Sequence, residues 1–128
     1  MRAERMSKTN YLRAVIKSNI DSVVNSYYRM ADPDALFPHA VYDFESIDLG
    51  DLFRDDLILI IDLWGKGNDT SQIENMADQL EAIFNAANMP NEKILPTFYR
   101  ISRKPIDDED KTLIRRQLKF QIQNYEIK

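Results

Sequence analysis

The hydrophobic positions of this chain fall into six runs, and each run predicts an element. Between Thr9 and Tyr28, Leu12, Val15, Ile16, Val23 and Tyr27 keep roughly helical spacing, with Arg13, Lys17, Asn19 and Asp21 on the other side. β-Branched residues weaken that helix, so it depends on docking for its stability. Pro33 and Pro38 push their predecessors out of the helical region and make residues 30–38 a connecting loop. Residues 40–45 then alternate, with Tyr42 and Phe44 on one side and Val41, Asp43 and Glu45 on the other, as a first strand does.

Residues 56–64 are almost continuously apolar, which predicts a central strand, and Asp62 within it needs either solvent or a partner. The run breaks at Gly65-Lys66-Gly67-Asn68, a turn. A second helix follows from Ser71, with the stripe Ile73, Met76, Ala77, Leu80, Ile83, Phe84 and Ala87. Ser71 and Glu74 have the spacing of a capping box, and Asn88 and Pro90 supply the stop. Residues 97–102 and 118–123 read as two more strands, close enough in sequence for an antiparallel hairpin. The expected fold is therefore α+β, in the order α-β-β-α-β-β, with two helices on a mainly antiparallel sheet of about four strands.

Length and composition change this picture little. The chain has 128 residues, 44% of them hydrophobic and 30% charged, which fits one domain over residues 1–128 with a flexible lead at 1–8. There is no cysteine, so neither disulfides nor thiol chemistry enter. The longest apolar run, residues 57–61, is far short of a membrane span, and the residues after the charged start lack the apolar segment of a secretion signal, so an intracellular protein is expected.

Charge is unevenly distributed. Residues 1–30 carry a net +4, residues 31–90 a net −11 and residues 91–128 a net +3, summing to the −4 of the whole chain. Two readings stand side by side: solvated faces, or opposite faces that meet partners of opposite sign.

Candidate chemistry is sparse. Gly65-Lys66-Gly67 sits where a phosphate loop would, but without the spacing of one, and the glycines are read as serving the turn. Asn68-Asp69-Thr70 matches a glycosylation acceptor by chance. The acids of residues 107–110, and Asp48, Asp51, Asp55 and Asp56, lack the alternation of a calcium loop and read as solvated charge. His39 is the single histidine, which leaves a catalytic triad or a histidine-rich metal site without members and gives it a loop role. Trp64 is a core or core-edge residue, or else an interface anchor. The basic and aromatic residues around Tyr99-Arg100, Arg103-Lys104 and Arg115–Phe120 raise nucleic acid, against which the acidic total counts. Leu49, Leu52 and Phe53 are large apolar residues in an otherwise acidic loop, tucked under the domain or buried in a neighbour. With Arg54, they form the candidate interface.

Three blocks in order carry a family resemblance: Tyr27–Asp32 through Phe37–Asp43; Ile61–Trp64 with Asp69-Thr70 and Ile73-Glu74; and an acidic turn before Arg115-Arg116 and an alternating last strand. Together they resemble the small tail-completion proteins of long-tailed bacteriophages and prophages, the tail terminator or head–tail joining group. The resemblance spans nearly the whole chain from Tyr11 onward. It implies a non-enzymatic structural protein with no cofactor. Such a protein forms a ring, usually a hexamer in the virion and in some cases monomeric when free, at the end of the tail tube. Its partners would be the tail tube protein and the head completion or connector protein. DNA would pass through the lumen without specific binding, no membrane would be involved, and the site would be the virion, with the host cytoplasm before assembly.

In such a ring Asp51, Asp55 and Asp56 are the candidate lumen acids, since an acidic lining avoids holding the genome through its phosphates. The chain departs from the family in having no long β-hairpin arm. The rival reading is a small intracellular adaptor or regulatory protein-interaction module, also non-enzymatic; an enzyme ranks third.

Overall fold

In the computed structural model, which describes residues 7–47, 54–91 and 93–126, the chain runs as α1 (Lys8–Asp21), β1 (Ser26–Tyr28), β2 (His39–Ile47), β3 (Arg54–Lys66), α2 (Ser71–Phe84), β4 (Ala87–Asn88), β5 (Ile94–Pro105) and β6 (Leu113–Glu126). The strands make one six-stranded sheet in the order β1-β2-β3-β6-β5-β4. β1 pairs with β2 in parallel, and every other pairing is antiparallel. The architecture is α+β, as expected, but the sheet is mixed and has six strands where about four were expected. β1 and β4 are the additions. At three and two residues they are too short to show a period in sequence.

The four expected strands are all present, and each is longer than its apolar pattern. β3 lies between β2 and β6, in the central place its composition requires. β5 and β6 form the antiparallel hairpin, with a bulge between Arg100 and Ser102. Two acids shape its turn: Asp108 accepts the Asp110 N–H, and Asp110 accepts the N–H and hydroxyl of Thr112 at 2.9 and 2.7 Å. Those bonds hold the Asp110 carboxyl below its ordinary pKa.

α1 ends at Asp21, well before Tyr28. The Asp21 carboxylate accepts both the N–H and the hydroxyl of Ser26, at 3.0 and 2.6 Å, and turns the chain into β1. Residues 23–28 therefore lie outside the helix, and Ser26–Tyr28 pair with β2. At the start of α2 the expected capping box does not form. Asp69 accepts the Ser71 N–H at 2.9 Å, while the Glu74 carboxylate turns away to Arg103 and Arg116. Ala87, expected on the helical stripe, lies in β4, and the helix already ends at Phe84.

Both helices pack on one face of the sheet. On β3 the alternation puts Leu57, Leu59, Ile61 and Leu63 on that face, all buried. They meet Leu12, Ile16 and Ile20 of α1 and Ile73, Ala77, Leu80 and Phe84 of α2 in one apolar core. Phe84 stacks with Phe98 and Phe120 at ring separations of 5.0 and 5.5 Å.

Gly65 belongs to this core and not only to the turn. A methyl group there would lie 2.7 Å from Ile73 Cγ1, so α2 approaches β3 as closely as it does because position 65 has no side chain. Gly65→Ala should cost about 1–3 kcal/mol in chemical denaturation, the usual range for overpacking. Gly67, at φ +112° with open space around it, is the residue the turn itself requires.

Candidate functional site

The opposite face of the sheet has no helix over it among the described residues. The same alternation that fills the core places Arg54, Asp56, Ile58, Ile60, Asp62 and Trp64 of β3 on this second face. Cross-strand register adds Asp43, Glu45 and Ile47 from β2, and Arg115, Gln117, Lys119, Gln121, Gln123 and Tyr125 from β6. Leu95, Thr97 and Tyr99 complete it from β5. Trp64 is thus a half-buried residue of the open face, with the Arg115 guanidinium 4.8 Å over its ring. Asp62 finds partners: Arg115 Nε and Gln117 Nε2 donate to it at 3.1 and 3.2 Å.

One end of this face carries exposed apolar residues. Leu95, Tyr99 and Tyr125 on β5 and β6 are each 40–44% accessible, with Leu95 directly across from Tyr125, and Ile47, 37% accessible, stands apart from them on β2, across Asp56 and Gln123. Beside them the β5 bulge leaves Ile101 half exposed. This cluster escaped the sequence reading. The available signal was Tyr125 continuing the row of glutamines on β6, a large aromatic where the pattern otherwise alternates polar outward.

Of the expected interface, Leu49, Leu52 and Phe53 lie outside the described residues, as does the lumen candidate Asp51. Arg54 is on the open face and donates to Asp56 through Nε and Nη2 at 3.2 and 3.1 Å. The Tyr125 hydroxyl and the Asp56 carboxylate both raise its pKa, which keeps it charged. Asp56 is buried, with 2% of its surface accessible, and one of its carboxylate oxygens has no partner among the described residues. Asp55 points to the helix side and pairs with Lys8 at 2.8 Å, still about half exposed. The two described acids of that candidate set therefore have different surroundings, and only Asp55 presents charge to solvent.

The uneven charge along the sequence is largely used inside the molecule. Arg103 of β5 reaches three carboxylates of α2: Asp78 at 2.7 Å, Glu81 at 2.8 Å and Glu74 at 2.9 Å. Arg116 of β6 also donates to Glu74, at 2.7 Å, and Arg100 pairs with Glu81. These contacts raise the Arg103 pKa despite the desolvation that opposes them. The acidic middle and the basic last segment meet each other across α2, β5 and β6. The arginines that suggested nucleic acid are the ones tied down.

His39 begins β2 and is buried, not a loop residue. Its Nδ1 is 3.1 Å from the Leu36 carbonyl, and its ring lies between those of Tyr27 and Phe37. Among the described residues no group of three or more His, Cys, Asp or Glu side chains is placed to hold a metal. No described helix is long and apolar enough to cross a membrane.

No protein-family model matches the sequence, and no curated protein matches it. Among solved structures, the chain is similar to one from the virion of a native gene transfer agent particle. That similarity has a TM-score of 0.63 and covers 93% of this chain and 91% of that one, at 15% sequence identity. What the two chains share, over nearly their whole length, is the fold.

Proposed function

We propose that this protein is a structural component of a phage-like particle: a non-enzymatic virion-assembly protein of the tail-terminator or head–tail joining type. In this reading it forms a ring at the end of the tail tube, stops tube growth and docks the tail to the head connector. It acts by self-association and shape, and no cofactor takes part. The observation that carries the proposal is the fold held in common with a chain of a gene transfer agent virion, with both chains matched nearly end to end. The sheet face without a helix on it, apolar at one end, gives such a protein a surface to present to neighbours.

A ring of identical subunits uses a heterologous interface, in which one patch meets a different patch on the next copy. Sedimentation and mass photometry across concentrations, alone and with the tail tube protein, test this. A closed oligomer of fixed stoichiometry is expected. A strict monomer under both conditions would overturn the ring.

The lumen makes a separate prediction. Because Asp56 is buried under Arg54, a test of an acidic lining belongs on Asp51 and Asp55. Replacing both by Lys should leave assembly intact and raise DNA affinity at low salt, with the gain fading as salt rises. Tight, salt-sensitive DNA binding by the unmodified protein would contradict an acidic lumen.

A further inference from the structure

The two outer strands of the sheet are much shorter than the strands they cover. β1 pairs only with Ala40, Val41 and Tyr42 of β2, and β4 pairs only with Thr97 and Phe98 of β5. Among the described strands, nothing pairs with the outer edge of β2 from Asp43 to Ile47, nor with that of β5 from Tyr99 to Pro105. Uncovered edges are templates for another strand, and soluble proteins ordinarily block them. Here they lie on opposite sides of one sheet.

Resting on the assembly reading above, we propose that these edges join copies of this chain head to tail: the β2 edge of one copy adds to the β5 edge of the next and continues the sheet across the interface. Strand direction permits it. β2 and β5 run antiparallel to each other within the sheet, so a neighbour in a similar orientation brings its β2 antiparallel to β5.

The hydrogen-bonding phase also agrees. On β2 the outward groups belong to the helix-side residues: the Tyr42 carbonyl accepts the Arg29 N–H at 2.8 Å, which makes Phe44 and Ser46 next in line. On β5 the outward set is likewise helix-side, since the Pro96 carbonyl accepts the Met89 N–H at 2.9 Å. Facing Ser46 to Arg100 and, past the bulge, Phe44 to Arg103 satisfies outward groups with outward groups. It also keeps the helix side of both copies on one surface. A shift of about two residues, ~7 Å at the strand rise, sets β1 and β4 beyond the two ends of the shared ladder instead of against each other.

Side chains then match in kind. On the open face Ile47 falls opposite Tyr99, two exposed apolar residues, and Asp43 falls opposite Lys104. Glu45 lies diagonal to Lys104, and neither of these two makes an ion pair among the described residues. The β2 edge carries Asp43 and Glu45 and the β5 edge carries Lys104, whose charge is not used by α2 as those of Arg100 and Arg103 are, so unlike edges attract and like edges repel. That pattern selects heterologous over two-fold pairing. The Asp43 carboxylate now holds the Phe44 N–H at 2.8 Å and makes a weak 3.8 Å contact with Arg29; pairing exchanges the first bond for a backbone carbonyl.

The absence of cysteine makes cross-linking a clean test. Full-length chains carrying Ile47→Cys and Tyr99→Cys, mixed and oxidised, should give the mixed disulfide dimer at least tenfold above the pair Ile47→Cys with Asn75→Cys on the solvent side of α2. The Ile47→Cys/Tyr99→Cys double variant should give a ladder. In parallel, Asp43→Lys and Lys104→Asp should each weaken self-association at least tenfold while leaving the circular dichroism of the monomer unchanged, and mixing the two should restore it. Cross-linking no greater than the control, or no rescue on mixing, overturns edge pairing. If the unmodified protein forms a ring of fixed size and the cross-link still fails, the ring reading survives and edge pairing does not. Cross-linked chains of no fixed length would keep edge pairing and remove the ring.

Discussion

Phe84→Ala is expected to destabilise the protein by about 3–5 kcal/mol, the usual cost of truncating a buried aromatic. Phe84 is fully buried at the last turn of α2, and its ring meets both Phe98 and Phe120 on adjacent strands. Removing it leaves a cavity at the point where α2 is fixed to the sheet. A loss of that size is a large share of the roughly 5–15 kcal/mol by which domains are stable. Urea denaturation should show a much lower midpoint with little change in slope. Leu36→Ala is the control: with 82% of Leu36 exposed, its cost should stay within about 0.5 kcal/mol. A Phe84→Ala cost below about 1 kcal/mol would contradict the packing described.

Arg103→Ala comes next, at an expected cost of about 2–3 kcal/mol, since a charged hydrogen-bonding group is lost and carboxylates are left behind it. Arg103 is 17% exposed and Glu81 11%, so that pair is poorly screened and its loss leaves Glu81 with Arg100 alone. Asp78, at 70% exposure, belongs to the same cluster but is well solvated. Asp78→Ala should therefore cost less than about 1 kcal/mol, as exposed ion pairs do. Arg103→Lys should recover only part of the loss, because one ammonium cannot replace a planar fork shared by three carboxylates. Denaturation midpoints of the three variants check the order Arg103→Ala, Arg103→Lys, Asp78→Ala. Equal costs for Arg103→Ala and Asp78→Ala would mean that the cluster is merely a surface feature.

What was legible in the sequence follows from the same physics. β3 could be read because seven consecutive positions from Leu57 to Leu63 include only one polar residue, and α2 because its buried residues repeat every three or four positions. Where the elements stop was harder, because local bonds decide it. Asp21 ends α1 by binding Ser26, and Glu74 abandons a capping role for two arginines that are distant in sequence. β1 and β4 exist only through pairing with β2 and β5, so nothing in Ser26–Tyr28 or Ala87–Asn88 announces them.

The candidate surfaces depended even more on tertiary structure. The blocks of opposite charge left two readings open, solvated faces or faces for partners of opposite sign, and the fold brings much of that charge together. The outcome for Asp55 and Asp56 turned on alternation: adjacent residues of one strand point to opposite faces, one to Lys8 and the other beneath Arg54. Tyr99 and Tyr125 became visible as an exposed apolar group only once register set them at one end of the sheet.

The most direct test of the account is electron microscopy of particles made by the genome that encodes this chain, with its gene intact and with it deleted. Deletion should leave filled heads and unjoined tails, with tail lengths spread out, and in intact particles the chain should be present and map to the junction of head and tail. Normal joined particles in normal numbers after deletion, with the chain missing from purified virions of the parent, would contradict it.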